Sequence, residues 1–296
     1  MNIKFKVVYL PQNEGHGNAR RKSLEQCTNE IVALMDADDI SYANRFEKQL
    51  EVFAKNPDID IVGGQITEFI DEPSNITGKR EVPEKDKDIK EYMKKRCPMN
   101  QVSVMFNKSF YNQVGGYIDW YCEEDYYLWI RMAEANGKFA NVPDNLVNVR
   151  IGDAMSSRRG GMKYFSSEAG IQKYMLKKKI ISIPRYLYNV LIRFGGEVIL
   201  TDKLRTVMFK KLRKPVKVKN IQNDNIIDKH IPSKETLPKF SVAMCVYGGD
   251  NPEWFENAME SIICQTVKPD EIVLVVDGPI PNNIQEVITR YEALCR

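Results

Sequence analysis

Histidine is almost missing from this 296-residue chain; His16 and His230 are the whole supply. Neither stands at metal-ligand spacing from a cysteine, and Cys27, Cys97, Cys122, Cys245, Cys264 and Cys295 form no CxxC pair. A zinc site is therefore not expected. Scattered cysteines of this kind read as free thiols in a reducing compartment. Long apolar runs are missing too: no stretch of about eighteen apolar residues occurs, so nothing is expected to span a bilayer. The opening Met-Asn-Ile-Lys-Phe-Lys lacks the charged-then-apolar pattern of a secretion signal. No Gly-Lys-Ser/Thr marks a P-loop, and Gly15 and Gly17 lack the third glycine, at position 20, of a dinucleotide fingerprint.

What is present is the composition of an ordinary globular protein, 43% hydrophobic and 28% charged. The length allows one large or two small domains with a substantial core. Net charge is only +3, but it is unevenly placed. Between Gln172 and Lys219 stand fourteen Lys and Arg against Glu197 and Asp202, which leaves the rest of the chain net acidic. Such a segment suits an anionic membrane surface or nucleic acid. No nucleic-acid-binding motif accompanies it, so a nucleic-acid partner is not expected.

The most informative stretch is Ile31-Val-Ala-Leu-Met-Asp-Ala-Asp-Asp39. Five apolar residues make a strand of the kind buried in parallel sheets. It ends in Asp36, Asp38 and Asp39, at the strand end where open α/β sheets bind ligands. Carboxylates this close repel one another unless a cation or a hydrogen-bonding ligand compensates. A hard divalent ion carrying a diphosphate would do so. An acidic turn capping the helix that starts near Asn44 would account for one aspartate and leave two unexplained.

Along the chain, Lys4 to Leu10 reads as a strand, followed by a turn-rich loop from Pro11 to Gly17 and a helix carrying Ala19, Arg20 and Leu24. Phe46, Leu50 and Phe53 share one helical face. Ile59 to Gly64 reads as a strand ending in a glycine pair, and residues 71 to 98 as a surface excursion. Val102 to Phe106 is a further strand, and Glu123 to Gly137 a helix. Lys163 to Leu212 is helical, basic and amphipathic. Asn220 to Pro238 reads as a linker. Beyond it, Phe240 to Val246 is a strand, Asn251-Pro252 a helix start, and Glu271 to Val276 a strand ending in Asp277-Gly278-Pro279. This βαβ unit normally opens a nucleotide-binding domain, yet here it stands last.

Taken together, these residues resemble a family 2 glycosyltransferase of the GT-A fold, close to bacterial enzymes that build capsular, exo- or lipopolysaccharide. The resemblance implies an α/β fold: a Rossmann-like, mixed but mostly parallel sheet flanked by helices, with a basic helical extension. The family's element order is 240–296 first and then 1 to about 215, so the chain reads as circularly permuted. The expected division is a catalytic domain from 1–165 plus 240–296, a basic helical region at 166–219 and a linker at 220–239.

The resemblance also implies roles. Val246 and Tyr247 line the nucleobase pocket, and Asp277 resembles the carboxylate that bonds the uracil edge; by itself Asp277 reads as a turn former. Asn13, Gly15, Ala19 and Arg20 match the family's Asn-x-Gly-x-x-x-Ala-Arg pattern, which makes Asn13, Gly15 and Arg20 donor contacts. Asp36-Ala37-Asp38 corresponds to the DxD motif, with Asp36 facing the ribose and Asp38 ligating Mn²⁺ or Mg²⁺ that bridges the diphosphate. Asp39 supports the site from behind. Glu123-Glu124-Asp125 resembles the family's Glu-Asp motif, which assigns Asp125 as base, with Glu124 orienting the acceptor or Asp125 itself. Read alone, these are acidic residues favourably placed at a helix N-terminus. Gly115-Gly116-Tyr117 resembles the turn that shapes the sugar pocket. Trp120 and Tyr121 suit stacking on a pyranose or, for Trp120, core packing. Arg158 and Arg159 suit a lid that meets the diphosphate. Many relatives carry a histidine two residues after the arginine equivalent to Arg150, where this chain has Gly152.

The expected activity is inverting transfer from a UDP-sugar to a hydroxyl of a polysaccharide or lipid-linked saccharide. Ile180 to Leu200, with Arg185 and Arg193, suits peripheral contact with an anionic membrane or else a helix packed on the domain with a solvated basic face. The expected location is the cytoplasm, at the inner face of the plasma membrane. A non-catalytic nucleotide-sugar-binding or scaffold role is the alternative, favoured if the two halves dock poorly. A nucleotidyltransferase is disfavoured because Val246-Tyr247-Gly248-Gly249-Asp250 lacks the basic residues of that loop.

Overall fold

The computed structural model describes residues 3–152, 161–199 and 237–295. In chain order the elements are β1 (Lys4–Tyr9), α1 (His16–Gln26), β2 (Ile31–Met35), β3 (Ile40–Ser41), α2 (Arg45–Lys55), β4 (Ile61–Phe69), β5 (Ile76–Arg80), α3 (Asp86–Met93), β6 (Met105–Asn107), α4 (Lys108–Gln113), α5 (Glu124–Glu134), β7 (Phe139–Arg150), α6 (Gly161–Lys177), α7 (Ile183–Phe194), β8 (Phe240–Tyr247), α8 (Pro252–Ile263), β9 (Glu271–Asp277) and α9 (Asn282–Cys295). The strands form one nine-stranded sheet in the order β1-β9-β8-β2-β6-β4-β7-β3, with β5 paired to β4.

The late strands lie inside the early part of the sheet. β8 runs parallel to β2 on one side and to β9 on the other, and β9 runs parallel to β1. All five residues of β2 and all seven of β9 are buried, as strands covered on both faces must be. One apolar cluster joins Phe46 and Leu50 of α2 to Val242 and Met244 of β8 and to Phe255, Met259 and Ile262 of α8. The opposite face packs Leu34, Phe106, Leu128 and Trp129. Each such side chain contributes roughly 1.5–3 kcal/mol of burial. Asn251 starts α8 as expected, accepting bonds from the amides of Glu253 and Trp254 at 2.9 and 3.3 Å. This mostly parallel sheet with flanking helices is the GT-A architecture.

Three readings of the pattern differ from the structure. The strand expected at Val102 to Phe106 begins only at Met105, after a 3-10 turn over Gln101–Ser103. The glycine pair does not end β4; the strand runs on to Phe69. A Cβ on Gly64 would stand 2.5 Å from Leu146 Cδ1 of β7, so glycine here leaves room for the Leu146 and Val142 side chains. Residues 71 to 98 are also more than an excursion, because β5 and α3 form there and bury Ile89 and Met93. Their apolar residues are too few for a clear period, and only packing against the sheet selects the elements. Most of the expected linker, Asn220 to Pro238, lies outside the described residues.

Candidate active site

Strands β1, β9, β8 and β2 run parallel, so their chains leave the sheet at one edge, the edge where such sheets hold ligands. Asp277 closes β9 and is buried. Its Oδ1 accepts from the Glu14 amide at 2.7 Å and its Oδ2 from the Gly15 amide at 3.1 Å. Asn13 Nδ2 reaches the Asp277 carbonyl at 3.5 Å. Gly278, at φ +84°, brings the two loops together; a Cβ there would meet the Asn13 nitrogen at 2.6 Å. The amides leading into α1 therefore serve an internal anion, Asp277. The helix begins at His16, which puts Gly17 inside it. Val246 is buried in the core at 1% exposure, so of the expected nucleobase pair only Tyr247, at 46%, offers its side chain to a ligand. The Tyr247 amide donates to Asp250 Oδ2 at 2.9 Å, fixing that loop.

The aspartates after β2 separate into distinct environments. Asp36 accepts from Arg20 Nη2 at 2.8 Å. Burial opposes the charge on Arg20, yet Asp36, Tyr117 and Cys245 outweigh it and hold the guanidinium above its ordinary value. Arg20 Nη1 is buried with no hydrogen-bond partner among the described residues, a donor aimed at no protein acceptor. Asp39 is buried and accepts from the Arg150 amide at 2.9 Å. Burial, then Asp38 and Asp36, push its carboxyl well up. Asp38 is exposed, yet desolvation by its surroundings, followed by Asp36 and Asp250, raises it to about 6. Its open side chain limits the desolvation part, so the neighbouring carboxylates are the firmer cause. Asp250 is likewise raised to about 6, by burial and then by Asp36. Two cations serve this cluster from behind. Arg45 is fully buried, bonds the Leu34 carbonyl at 2.7 Å and is lowered to about 9 by burial, against the pull of Asp39 and Asp36. Arg150 lies over the rings of Phe69 and Trp254, 4.5 and 4.1 Å from their centroids.

The second acidic run sits at the start of α5. Glu123 is buried and accepts from the Tyr164 hydroxyl of α6 at 2.9 Å. Glu124 Oε1 lies 2.9 Å from His16 Nε2. Burial works against ionised Glu124, but His16 and the Glu124 amide outweigh it and hold its carboxyl pKa below the ordinary carboxylate range. Asp125 Oδ1 accepts from the Tyr126 amide at 2.7 Å, and the Cys97 thiol stands 3.8 Å from its Oδ2. Burial and then Asp125 push that thiol well up. Trp120 packs as core: its Nε1 donates to the Ser167 carbonyl at 3.2 Å and its ring meets Tyr127. Tyr117 is buried, with Arg20 over its ring. Arg158 and Arg159 lie outside the described residues.

One helix joins the two acidic groups. His16 and Arg20 are four residues apart and share a face of α1; one holds Glu124 and the other Asp36.

A model of the family described as Glycosyl transferase family 2 matches residues 1–114. The chain is 37% identical over 212 residues to an uncharacterized glycosyltransferase of Haemophilus influenzae, covering 72% of this chain and 79% of the relative. This chain belongs to glycosyl transferase family 2. It is also 32% identical over 210 residues to the UDP-Gal:alpha-D-GlcNAc-diphosphoundecaprenol beta-1,3-galactosyltransferase of Escherichia coli, covering 71% of this chain and 76% of that enzyme. The amylovoran biosynthesis glycosyltransferase AmsE of Erwinia amylovora is 34% identical over 208 residues, 70% of this chain and 77% of its own.

The protein is thus a glycosyltransferase of the kind found in polysaccharide biosynthesis. Divalent metals are common in this family. No group of three or more His, Cys, Asp or Glu among the described residues could hold an ion by protein ligands alone. The donors present nevertheless fit a hard cation that shares its shell with phosphate and water. Asp38 reaches solvent beside Asp36 and Asp250, and Arg20 Nη1 is left for an anion. No helix among the described residues is long and apolar enough to cross a membrane. Nothing in the local pattern marks Arg45 or Asp250, which the fold alone carries to Asp36. His16 had one available signal, its spacing from Arg20.

Proposed function

We propose that this glycosyltransferase moves a sugar from a UDP-sugar to a hydroxyl of a polysaccharide or lipid-linked saccharide, with inversion at the anomeric carbon. The observation that carries this reading is the α1 face holding Asp36 and Glu124 through residues about 6 Å apart along the helix axis. The donor and acceptor carboxylates are therefore held beside one another by one face of α1.

In this reading Tyr247 and the Asp277–Asn13–Gly15 corner receive the nucleobase and Asp36 the ribose. Asp38 would hold Mn²⁺ or Mg²⁺, which when bound supplies charge stabilisation to the diphosphate. Arg20 Nη1 donates to the diphosphate, and Arg158 and Arg159 meet it from the following segment. Asp125 takes the proton of the acceptor hydroxyl as its oxygen bonds to the anomeric carbon. The bond from that carbon to the diphosphate breaks, and its electron pair leaves with UDP. Glu124, tied to His16, orients Asp125 and the acceptor. Since β8 and β9 lie within the sheet and Asp277 is bonded to Glu14 and Gly15, nothing favours the scaffold alternative, which needed poor docking. The same placement supports a permuted element order and the division into a catalytic unit at 1–165 plus 240–296, a basic region at 166–219 and a linker at 220–239. Peripheral attachment to an anionic membrane, at the cytoplasmic face, completes this reading.

The test is a panel of nucleotide sugars with Mn²⁺ or Mg²⁺, scoring binding and UDP release for wild type, Asp38→Ala and Asp125→Asn. Metal-dependent UDP-sugar binding lost in Asp38→Ala, with turnover but not binding lost in Asp125→Asn, is the expected result. Binding without turnover on any acceptor would return the scaffold reading.

A further inference from the structure

Helix α7 is built with its polar side inward. Asn189 is buried, while Ile183, Leu187, Tyr188, Leu191, Ile192 and Phe194 are all exposed, Leu191 at 68%. At 100° per residue these six fill one half of the helix surface, and no charged residue stands among them. Asn189 and Arg193 occupy the other half and anchor it. Asn189 Nδ2 donates to the Lys94 carbonyl at 2.9 Å and to Gln172 Oε1 at 2.7 Å. Arg193 Nη2 donates to the Lys95 carbonyl at 2.9 Å, and its guanidinium pairs with Glu168. Rotating α7 to hide its leucines would strip these buried polar groups of their partners, at about 1–3 kcal/mol for each group left unsatisfied. The apolar half is therefore fixed outward, and a contiguous exposed patch of this kind marks an interaction site.

Charge at its border identifies the occupant. Lys173, Lys177, Lys178 and Lys179 are exposed on the end of α6 and the turn into α7. Arg185 flanks the apolar half, its guanidinium 5.8 Å from the Tyr188 ring. A row of aliphatic side chains edged by lysine, arginine and tyrosine matches an apolar interior bounded by a plane of anionic phosphates. A lipid bilayer is that material. We propose that α7 lies on an anionic bilayer surface, with Ile183, Leu187 and Leu191 at the boundary between headgroups and acyl chains and Lys177, Lys179 and Arg185 on the phosphates. The proposal deepens the reading of a lipid-linked acceptor given above and supplies the face that would carry the enzyme to it.

The experiment is co-sedimentation of the full chain with vesicles of phosphatidylcholine, with and without phosphatidylglycerol. Wild type is compared with Leu187→Glu/Leu191→Glu and with Lys177→Glu/Lys179→Glu. Both pairs are exposed, so the fold should tolerate them; a melting curve and the solution mass are read alongside. Expected are binding to the anionic vesicles and a loss of at least about tenfold in either variant, with melting temperature and mass unchanged. UDP-sugar binding in vesicle-free solution is measured on the same samples, which reads the transferase assignment separately. Wild type that stays in the supernatant, or variants that bind vesicles as wild type does, overturn the proposal. So does a mass that halves in the leucine variant without loss of vesicle binding, which would seat a second copy on the face. A large fall in its melting temperature would show the face to be packed within the chain and would overturn the proposal as well.

Discussion

The two acidic runs, Asp36-Ala-Asp-Asp39 after β2 and Glu123-Glu-Asp125 before α5, look alike as sequence and differ as chemistry. In the second, the fold places a partner beside each carboxylate: the Tyr164 hydroxyl for Glu123, His16 for Glu124, and the Tyr126 amide with the Cys97 thiol for Asp125. In the first, Arg20 pairs with Asp36, while Asp38 and Asp250 are held above the ordinary carboxylate pKa, Asp38 by desolvation, Asp36 and Asp250, and Asp250 by burial and Asp36. One run is organised to keep a carboxylate oriented, as a base requires. The other leaves negative charge uncompensated at an open edge, as a cation and diphosphate site requires. Residue type alone does not make that distinction.

The sharpest way to break this contrast is to exchange its two central members. Asp125→Asn should lower kcat by about 10²–10⁴ while leaving the donor KM and metal dependence in place. Asp38→Asn should raise the donor KM and abolish its metal dependence. Identical kinetic defects in both would erase the distinction. Next in size is Arg20→Ala, which leaves Asp36 facing Asp38 and Asp250 without its partner. Because Asp36 is about a third exposed, solvent screens part of the loss. Destabilisation of about 2 kcal/mol is expected in urea unfolding, and conservative Arg20→Lys should recover part of it.

A pH series sharpens the comparison further. Asp38 and Asp250 go from an ordinary 3.8 to about 6 in the folded protein. Between those values the folded form keeps protons that the unfolded chain has released, so their contribution to stability is full below about 4 and lost as pH rises through about 6. The melting temperature should therefore respond to Mn²⁺ or Mg²⁺ by a few degrees near pH 7, and hardly near pH 5, where protons already occupy the site. Asp38→Asn should flatten this response and Asp125→Asn should not. The smallest effect is expected of His16→Ala. The ring is 69% exposed, so the pair with Glu124 should be worth no more than about 0.5 kcal/mol. Any larger kinetic change would then report on the orientation of Glu124.

Much of this was legible in the sequence because it depends on short-range pattern. Five apolar residues ending in aspartates read as a covered strand, and Asn251-Pro252 as a helix start. Asn13, Gly15 and Arg20 fall near Asp277 and Asp36 because strand ends of a parallel sheet converge. The failures share one cause, dependence on distant neighbours. The Gly63–Gly64 pair looked like a terminus until β7 supplied the reason for two missing side chains. Val246 looked like a pocket residue, but alternation along β8 turns it into the core. For Trp120 the sequence left stacking and core packing open, and its contacts with Ser167 and Tyr127 decide for packing. The basic, amphipathic character of α7 was plain, whereas the direction of its apolar half was not: Lys94, Lys95, Glu168 and Gln172 set it from other elements.

What the sequence determined by itself was most of the strands and helices and the acidic strand end, which follow from short-range periodicity, and, through the resemblance of its motifs, the family. The tertiary structure decided which carboxylates are satisfied and which stay uncompensated, and which half of α7 faces outward. Both depend on electrostatic and hydrogen-bonding partners tens or hundreds of residues away, and such pairings exist only once the sheet has brought β8 and β9 between β1 and β2.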